Sequence, residues 1–340
     1  QSLYTLNAGA DAYNTAVGYQ SGKLITTGVQ NTLIGGLAGD ALTDADYNVA
    51  FGTGSLSADT LGSRNTAIGR SSLAVQNFTS ATNSYNVGVG FNSGASLTTG
   101  IENVIIGGLA GNNITGGGFS GTTRQAGGDY NVVIGKGALS TDTLGNKSIA
   151  IGVSALATQN FTSSIDTFNT AIGHAAGTGV TTGVKNTFLG GLAGDATTDA
   201  DENVAIGYDS LGTNILGGAS VAVGASALRT QNPASAVTMY NTAVGHFAGY
   251  AVTTGTNNTL IGGLCGDGLT SGSNNSALGI GALSASTSAS NNTAVGASAL
   301  KANTSGTANV AVGALAGDAL TSGGSNVAIG YNSLSTEDEH

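Results

Sequence analysis

Apolar residues fall along this chain in a fixed local pattern rather than in helical stripes. The five-residue unit Asn-[Thr/Val]-[small]-[Val/Ile]-Gly starts at Asn14, Asn31, Asn48, Asn65, Asn86, Asn103, Asn131, Ser148, Asn169, Asn186, Asn203, Ser220, Asn241, Asn258, Asn275, Asn292, Asn309 and Asn326, 18 units in all. Successive starts lie 17 residues apart, except for 21 after Asn65, Ser148 and Ser220 and 28 after Asn103. A fixed period over so many units is the mark of a repeat architecture. With the Asn as position 1, position 4 is always large and apolar, position 2 is mostly Thr or Val, position 3 is mostly Ala, and position 5 is Gly. Period-two alternation puts positions 2 and 4 on one face of a short strand and position 3 on the other.

The pattern predicts an all-β parallel β-solenoid with ~17 residues per coil and 18 coils. Gly at position 5 suits a bend with positive φ or a close approach of another backbone. A second, weaker strand is expected around positions 8 and 9, as at Ser55-Leu56 and Ser72-Leu73, with Thr-Thr-Gly at positions 13–15 closing several coils. Stacked at about 4.8 Å per rung, 18 coils would make a rod of roughly 85 Å. The position-1 Asn residues would form a ladder that satisfies turn backbone groups. A longer cassette of four coils begins near residues 14, 86, 169 and 241. Residues 1–13 read as a lead-in, 14–334 as the repeat shaft and 335–340 as an acidic tail.

So thin a coil buries few side chains. Position 3, small and placed on the outward face, would let three chains approach a common axis, with Leu33, Ile105, Phe188 and Leu260 plugging it at intervals. A homotrimer is therefore expected.

Composition narrows the alternatives. The chain has 57 Gly but one Pro and no Trp, which argues against long helices, where each Gly costs about 1 kcal/mol, and against collagen. Hydrophobic residues make up 40%, too many for simple disorder. Nine basic residues and a net charge of −10 do not supply the cationic stripe of a nucleic-acid binder. One cysteine, Cys265, leaves no internal disulfide framework. No apolar run reaches ~18 residues, so no membrane insertion is expected. No basic segment followed by an apolar stretch opens the chain, so no signal peptide is expected.

The repeat residues resemble a known family. Asn14–Gly22, reading Asn-Thr-Ala-Val-Gly-Tyr-Gln-Ser-Gly, and the Asn-Thr-Ala-Ile-Gly units at Asn65 and Asn169 look like the repeats of phage tail-fibre shafts. Ser148–Gly152 and Ser220–Gly224 are similar to the Ser-Val-Ala-Ile-Gly repeats in the heads of trimeric autotransporter adhesins. The resemblance covers Asn14 to Leu334 and implies a left-handed β-roll, three chains per fibre and attachment to a cell surface. Adhesin heads have shorter coils and come with a stalk and a membrane anchor, so the tail-fibre branch fits better. The acidic end Glu337-Asp338-Glu339-His340 is compatible with removal of a C-terminal chaperone domain.

Candidate sites each have an ordinary reading beside the functional one. Asp40, Asp44 and Asp46, repeated as Asp195, Asp199 and Asp201, would suit Ca²⁺; as solvated turn residues they need no ion. No other cofactor is implied. The position-13 Thr ladder, from Thr26 to Thr321, could face ice; β-branched residues at a strand end explain it as well. Tyr13, Tyr19, Tyr85, Phe91, Phe168 and Tyr240 could grip sugar rings or cover gaps in a thin solenoid. The insertions carry Phe119 and Arg124 in the longest, and Phe78 and Phe161 in two shorter ones. Loops on a rigid scaffold often bind partners, so these are candidate contacts with a cell-surface glycan or protein receptor. His174 and His246 have no nucleophile partner in any recognisable motif, and Cys265 stands where Ala38, Ala110 and Ala193 stand in equivalent units. The expectation is a non-enzymatic fibre or adhesin shaft, extracellular or on a virion surface. The alternative is a secreted monomeric solenoid that binds ice or Ca²⁺.

Overall fold

The computed structural model describes residues 1–116, 119–120, 123–124 and 127–335, with backbone alone at 119–120 and 123–124. The chain divides into two compact units, Gln1–His174 and Ala175–His340. Each is an all-β parallel solenoid, and the described residues contain no helix. There are about 18 coils, each contributing one three-residue strand. In the first unit these run from Thr15–Val17 to Thr170–Ile172, and in the second from Thr187–Leu189 to Val327–Ile329. Equivalent residues pair rung on rung: Thr15 with Thr32, Ala16 with Leu33 and Val17 with Ile34 in the first unit, and Thr187 with Val204, Phe188 with Ala205 and Leu189 with Ile206 in the second.

Insertions do not disturb this register. Val87 pairs with Thr66, 21 residues away, and Val132 with Val104, 28 residues away. The added residues of the 21-residue coils build a short parallel bridge, as between Gly62–Ser63 and Thr82–Asn83. In the longest insertion Phe119–Ser120 and Thr123–Arg124 pair antiparallel. The side chains of Phe119 and Arg124, and the acidic end Glu337–His340, lie outside the described residues.

Two backbone devices hold the stack. Gly35 has φ +135°, and a Cβ there would sit 2.6 Å from the Gly52 carbonyl oxygen. Both conditions, the dihedral and the close approach, exclude any other residue. The Asn ladder forms as the sequence suggests. Asn31 N donates to Asn14 Oδ1 (2.8 Å), while Asn31 Nδ2 donates to the Ala45 carbonyl (2.8 Å). In the second unit Asn275 makes the same two bonds, to Asn258 Oδ1 (3.0 Å) and the Ala289 carbonyl (2.8 Å). One side chain therefore satisfies a strand N–H and a turn C=O that the coil leaves open.

The faces of the strand are the reverse of the expectation. Position 3 points inward: Leu33, Ala50, Ala67, Ile105, Ala150 and Phe188 are fully buried within their own coils. Positions 2 and 4 point out, and Val17, Phe51 and Ile68 are 58%, 52% and 38% exposed. Alternation shows that two faces differ but not which is inside. Ala fills the inward position in most coils, and the larger Leu33, Ile105, Phe188 and Leu260 occur where position 9 is Gly. At Gly88, which occupies position 3, an added Cβ would come within 2.8 Å of Leu73 Cγ. Positions 8 and 9 are not a strand either. Leu56 and Leu73 adopt left-handed φ values of 51° and 49°, which turn the chain while driving the leucine inward.

Filling the interior follows a rule across positions 9 and 12. Gly at 9 goes with an apolar residue at 12, as in Gly22 with Ile25, Gly39 with Leu42 and Gly94 with Leu97; the exception is Gly194 with Thr197, where the Phe188 ring takes up the space. Leu at 9 goes with a polar residue at 12, as in Leu56 with Asp59, Leu73 with Gln76, Leu139 with Asp142 and Leu156 with Gln159. Both side chains compete for one volume: a Cβ on Gly39 would lie 2.8 Å from Leu42 Cδ1. The first sixteen coils come as two of the Gly kind followed by two of the Leu kind, which gives the four-coil cassette its physical meaning.

Candidate functional site

The largest unassigned feature of each unit is the outward strand face. Across every coil, positions 2 and 4 carry only Thr, Ser, Val, Ile, Leu or Phe, and never a charge. Phe51, Leu189, Ile261, Leu278 and Val312 are among its exposed side chains. A contiguous apolar row of this kind marks an interaction surface.

The acidic residues bind backward along the stack. Asp44 accepts from Thr27 Oγ1, and Asp46 Oδ1 accepts from Val29 N (2.8 Å). Asp199 Oδ1 accepts from Thr181 (2.5 Å) and Thr182 (2.8 Å), which holds its carboxyl below the usual range. Asp201 Oδ1 accepts from Val184 N (2.7 Å). These four carboxylates cap turns of the preceding coil. Asp40 and Asp195 stand apart, since each has one buried oxygen without a partner. Among the described residues no three His, Cys, Asp or Glu side chains converge as a metal site. A cleft of about 360 Å³ in the second unit is lined by Asp199, Asp201, Glu202, Leu216 and Val237. There Glu202 pairs with Lys185 at 3.1 Å, and both aspartates are occupied as above.

The Thr ladder spends its hydroxyls internally. Thr98 Oγ1 donates to the Thr115 carbonyl (3.1 Å), and Thr270 Oγ1 to the Thr287 carbonyl (2.8 Å). That supports the ordinary reading of position 13.

Aromatic candidates divide by what covers them. The Arg64 guanidinium lies 4.6 Å from the Tyr47 ring and 5.8 Å from that of Tyr85. Arg70 lies 5.6 Å from Phe91, and Lys147 Nζ 5.1 Å from Phe168. These rings are engaged by cations from neighbouring rungs. Tyr13 donates to Asp11 Oδ2 at 3.2 Å, and Tyr19 and Tyr240 are 69% and 64% exposed. Phe78 and Phe161 do not reach solvent, contrary to their reading as receptor contacts. Both are buried because each ring closes the core where an insertion leaves the coil.

That closure rests on a polar corner which the sequence reading passed over. Asp59 Oδ1 accepts from Gly62 N (3.0 Å) and Phe78 N (3.2 Å), and its Oδ2 from Gln76 Nε2 (2.7 Å). Gln76 Oε1 then accepts from Asn86 Nδ2 (2.9 Å). Asp142, Gln159 and Asn169 repeat the chain. In the second unit Asn214 replaces the Asp beside Gln231 and Asn241. Burial raises the Asp59 and Asp142 carboxyls above the usual range despite these bonds. The recurrence of Asp, Asp and Asn at position 12 of the coil before each four-residue insertion is the signal that could have found them.

Cys265 is buried and its thiol is pushed up to about 12, chiefly by burial, so it is a packing residue rather than a nucleophile. His246 meets Phe247 edge-on at 4.3 Å.

Fold and face together define the class: a parallel β-solenoid repeat protein with an uncovered apolar flank. No protein-family model and no curated protein matches the chain. Among the described residues, no helix is long and apolar enough to cross a membrane.

Proposed function

We propose that this chain is the shaft of a homotrimeric fibre, a left-handed roll on an extracellular or virion-borne appendage that mediates surface attachment. The observation that carries the reading is the charge-free face formed by positions 2 and 4 in both units. A partner for that face must be apolar and must repeat at the rung spacing of about 4.8 Å. A second copy of the same chain has both properties. The resemblance to tail-fibre and adhesin repeats supplies the number three. Burial of such a face contributes roughly 25 cal/mol per Å², enough over many rungs to make assembly permanent. The insertions and the exposed Tyr19 and Tyr240 are the parts offered to a glycan or protein receptor. No catalytic role is assigned.

Light scattering after size exclusion tests this reading. It predicts three times the 32.8 kDa of one chain, and a stable monomer at micromolar concentration contradicts it. Ile206→Asp with Val223→Asp should lower the mass to one chain while leaving the β circular dichroism intact, because both side chains point away from the coil interior.

A further inference from the structure

The strand face has two edges, and the same two columns line them in every coil. One is the residue just before position 1, which adopts a left-handed backbone in all coils from Tyr13 to Ser325. The other is position 6, just past the Gly ladder. The first edge carries an exposed aromatic ring ahead of the first coil of each cassette, at Tyr13, Tyr85, Phe168 and Tyr240. The second edge carries Gly in the second coil of each cassette, at Gly36, Gly108, Gly191 and Gly263. The coil itself does not call for Gly at this position. Gly36, Gly108 and Gly263 have no positive φ, and a Cβ added to any of them meets nothing nearer than 4.0 Å. Other coils hold Thr53, Arg70 and Val153 there. Each cassette thus has a notch at one edge of its apolar face and a ring at the other, and the chain's own packing explains neither.

We propose that the two edges lock together between copies of this chain: Tyr13 and Tyr85 seat their rings on Gly36 and Gly108 of the next copy, one rung further along. The lock rests on the trimeric fibre proposed above and adds the register in which its chains meet. When copies turn one face toward a common rotation axis, symmetry sets one edge of each against the opposite edge of the next. Rotation without translation keeps equivalent residues at one height, so the offset between facing coils is at most about one rung. Charge and volume in the first unit select among the three choices. With no offset, Arg64 faces Arg70, and Tyr85 faces the Phe91 ring while Gly108 faces Glu102. One rung backward sets Lys147 against Lys136. Like charges face to face oppose association. One rung forward sets Glu102 against Lys136, Arg64 against Phe91 and Tyr47 against Arg70, with a ring over each notch. Arg64 already lies 4.6 Å from its own Tyr47 ring, and Arg70 lies 5.6 Å from its own Phe91 ring. The forward offset joins these two cation–ring pairs into one group across the boundary. Tyr240 and Gly263 hold the same two positions in the second unit, so in the locked fibre Tyr19 and the insertions are what remains for a receptor.

The test uses two differently tagged full-length chains, both with Cys265→Ala, assembled together and then oxidised. One carries Tyr85→Cys. The other carries Gly108→Cys or, to report on the level register, Phe91→Cys. A disulfide needs Cα atoms within about 7 Å, so the lock predicts covalent dimers joining the two tags, formed faster with Gly108→Cys than with Phe91→Cys. The reverse order, or no cross-link in particles whose mass is that of three chains, overturns the lock and leaves the trimer standing. A mass of one chain overturns both. A second measurement needs no cysteine. Gly36→Val with Gly108→Val fills the notches with a side chain that position 6 already holds at Val153, so the β circular dichroism should not change. Loss of the seats for two aromatic anchors should raise the dissociation constant of the assembly by about tenfold or more, read from mass against protein concentration. An assembly as tight as the parent's would show that the notches are empty and end the proposal.

Discussion

At the level of single residues, the fold depends on positions where only one side chain is tolerated. The Gly ladder at position 5 is the plainest. A methyl group at Gly35 meets the neighbouring carbonyl at 2.6 Å in a backbone conformation reserved for glycine. Gly35→Ala is expected to cost at least ~1–3 kcal/mol from the dihedral alone, and more from the clash, read as a lower midpoint in thermal unfolding. Asp59 and Asp142 make the opposite case. Each is a buried carboxylate without a cation, accepting three hydrogen bonds, and each is raised by burial. Their contribution to stability is complete at acid pH and declines as pH rises through the raised value. Asn already serves at position 214, where its Oδ1 accepts from Gly217 N at 3.1 Å. Asp59→Asn is therefore expected to raise the thermal midpoint at neutral pH and to converge with the parent near pH ~4. A lower midpoint at neutral pH would mean that the ionised carboxylate is well solvated by its three donors.

The coil is the next scale, and its rule is the exchange of volume between positions 9 and 12. Leu283 and Ser286 form a Leu-type coil beside Gly266 and Leu269 of a Gly-type coil. Leu283→Gly alone should cost about 2–5 kcal/mol, the usual price of a large-to-small change in a core. Adding Ser286→Leu should recover most of that loss, because the new leucine fills the space from the other wall. A double-mutant cycle in denaturant measures the coupling, and additive losses would contradict the rule. Much of the coil was legible in the sequence. The 17-residue period, the Asn ladder and the role of position-5 Gly all follow from identical residues recurring at one spacing. The inside and outside of the strand were not legible, because Ala at position 3 and Val or Ile at position 4 are both apolar and alternation has no sign. The turn at positions 8 and 9 was also hidden: Leu56 and Leu73 read as strand residues, while their left-handed backbone is imposed by packing. Of the acidic candidates, Asp44, Asp46, Asp199 and Asp201 accept hydrogen bonds from turns, as turn chemistry predicts, and Asp40 and Asp195 do not follow them. Phe78 and Phe161 were misplaced because an insertion was assumed to carry all its residues outward, whereas the first of them stays to seal the core.

For the molecule as a whole, each unit is a stack whose interior is filled by its own coils and whose strand face is left bare. A repeat array can change length by whole coils without redesign, which suits the shaft proposed above. In the proposed fibre the bare face ties the stack to other copies, and it is there that the proposal is most directly tested. Ile206 lies at position 4 of its coil, and Cys265, the sole native thiol, is buried. A chain with Cys265→Ala and Ile206→Cys therefore reports on one point of that face through the rate of thiol labelling under native conditions. The account predicts slow labelling that becomes fast only when the assembly is dissociated. Immediate labelling of the folded protein at concentrations where its mass is measured would show the face open to water and contradict it.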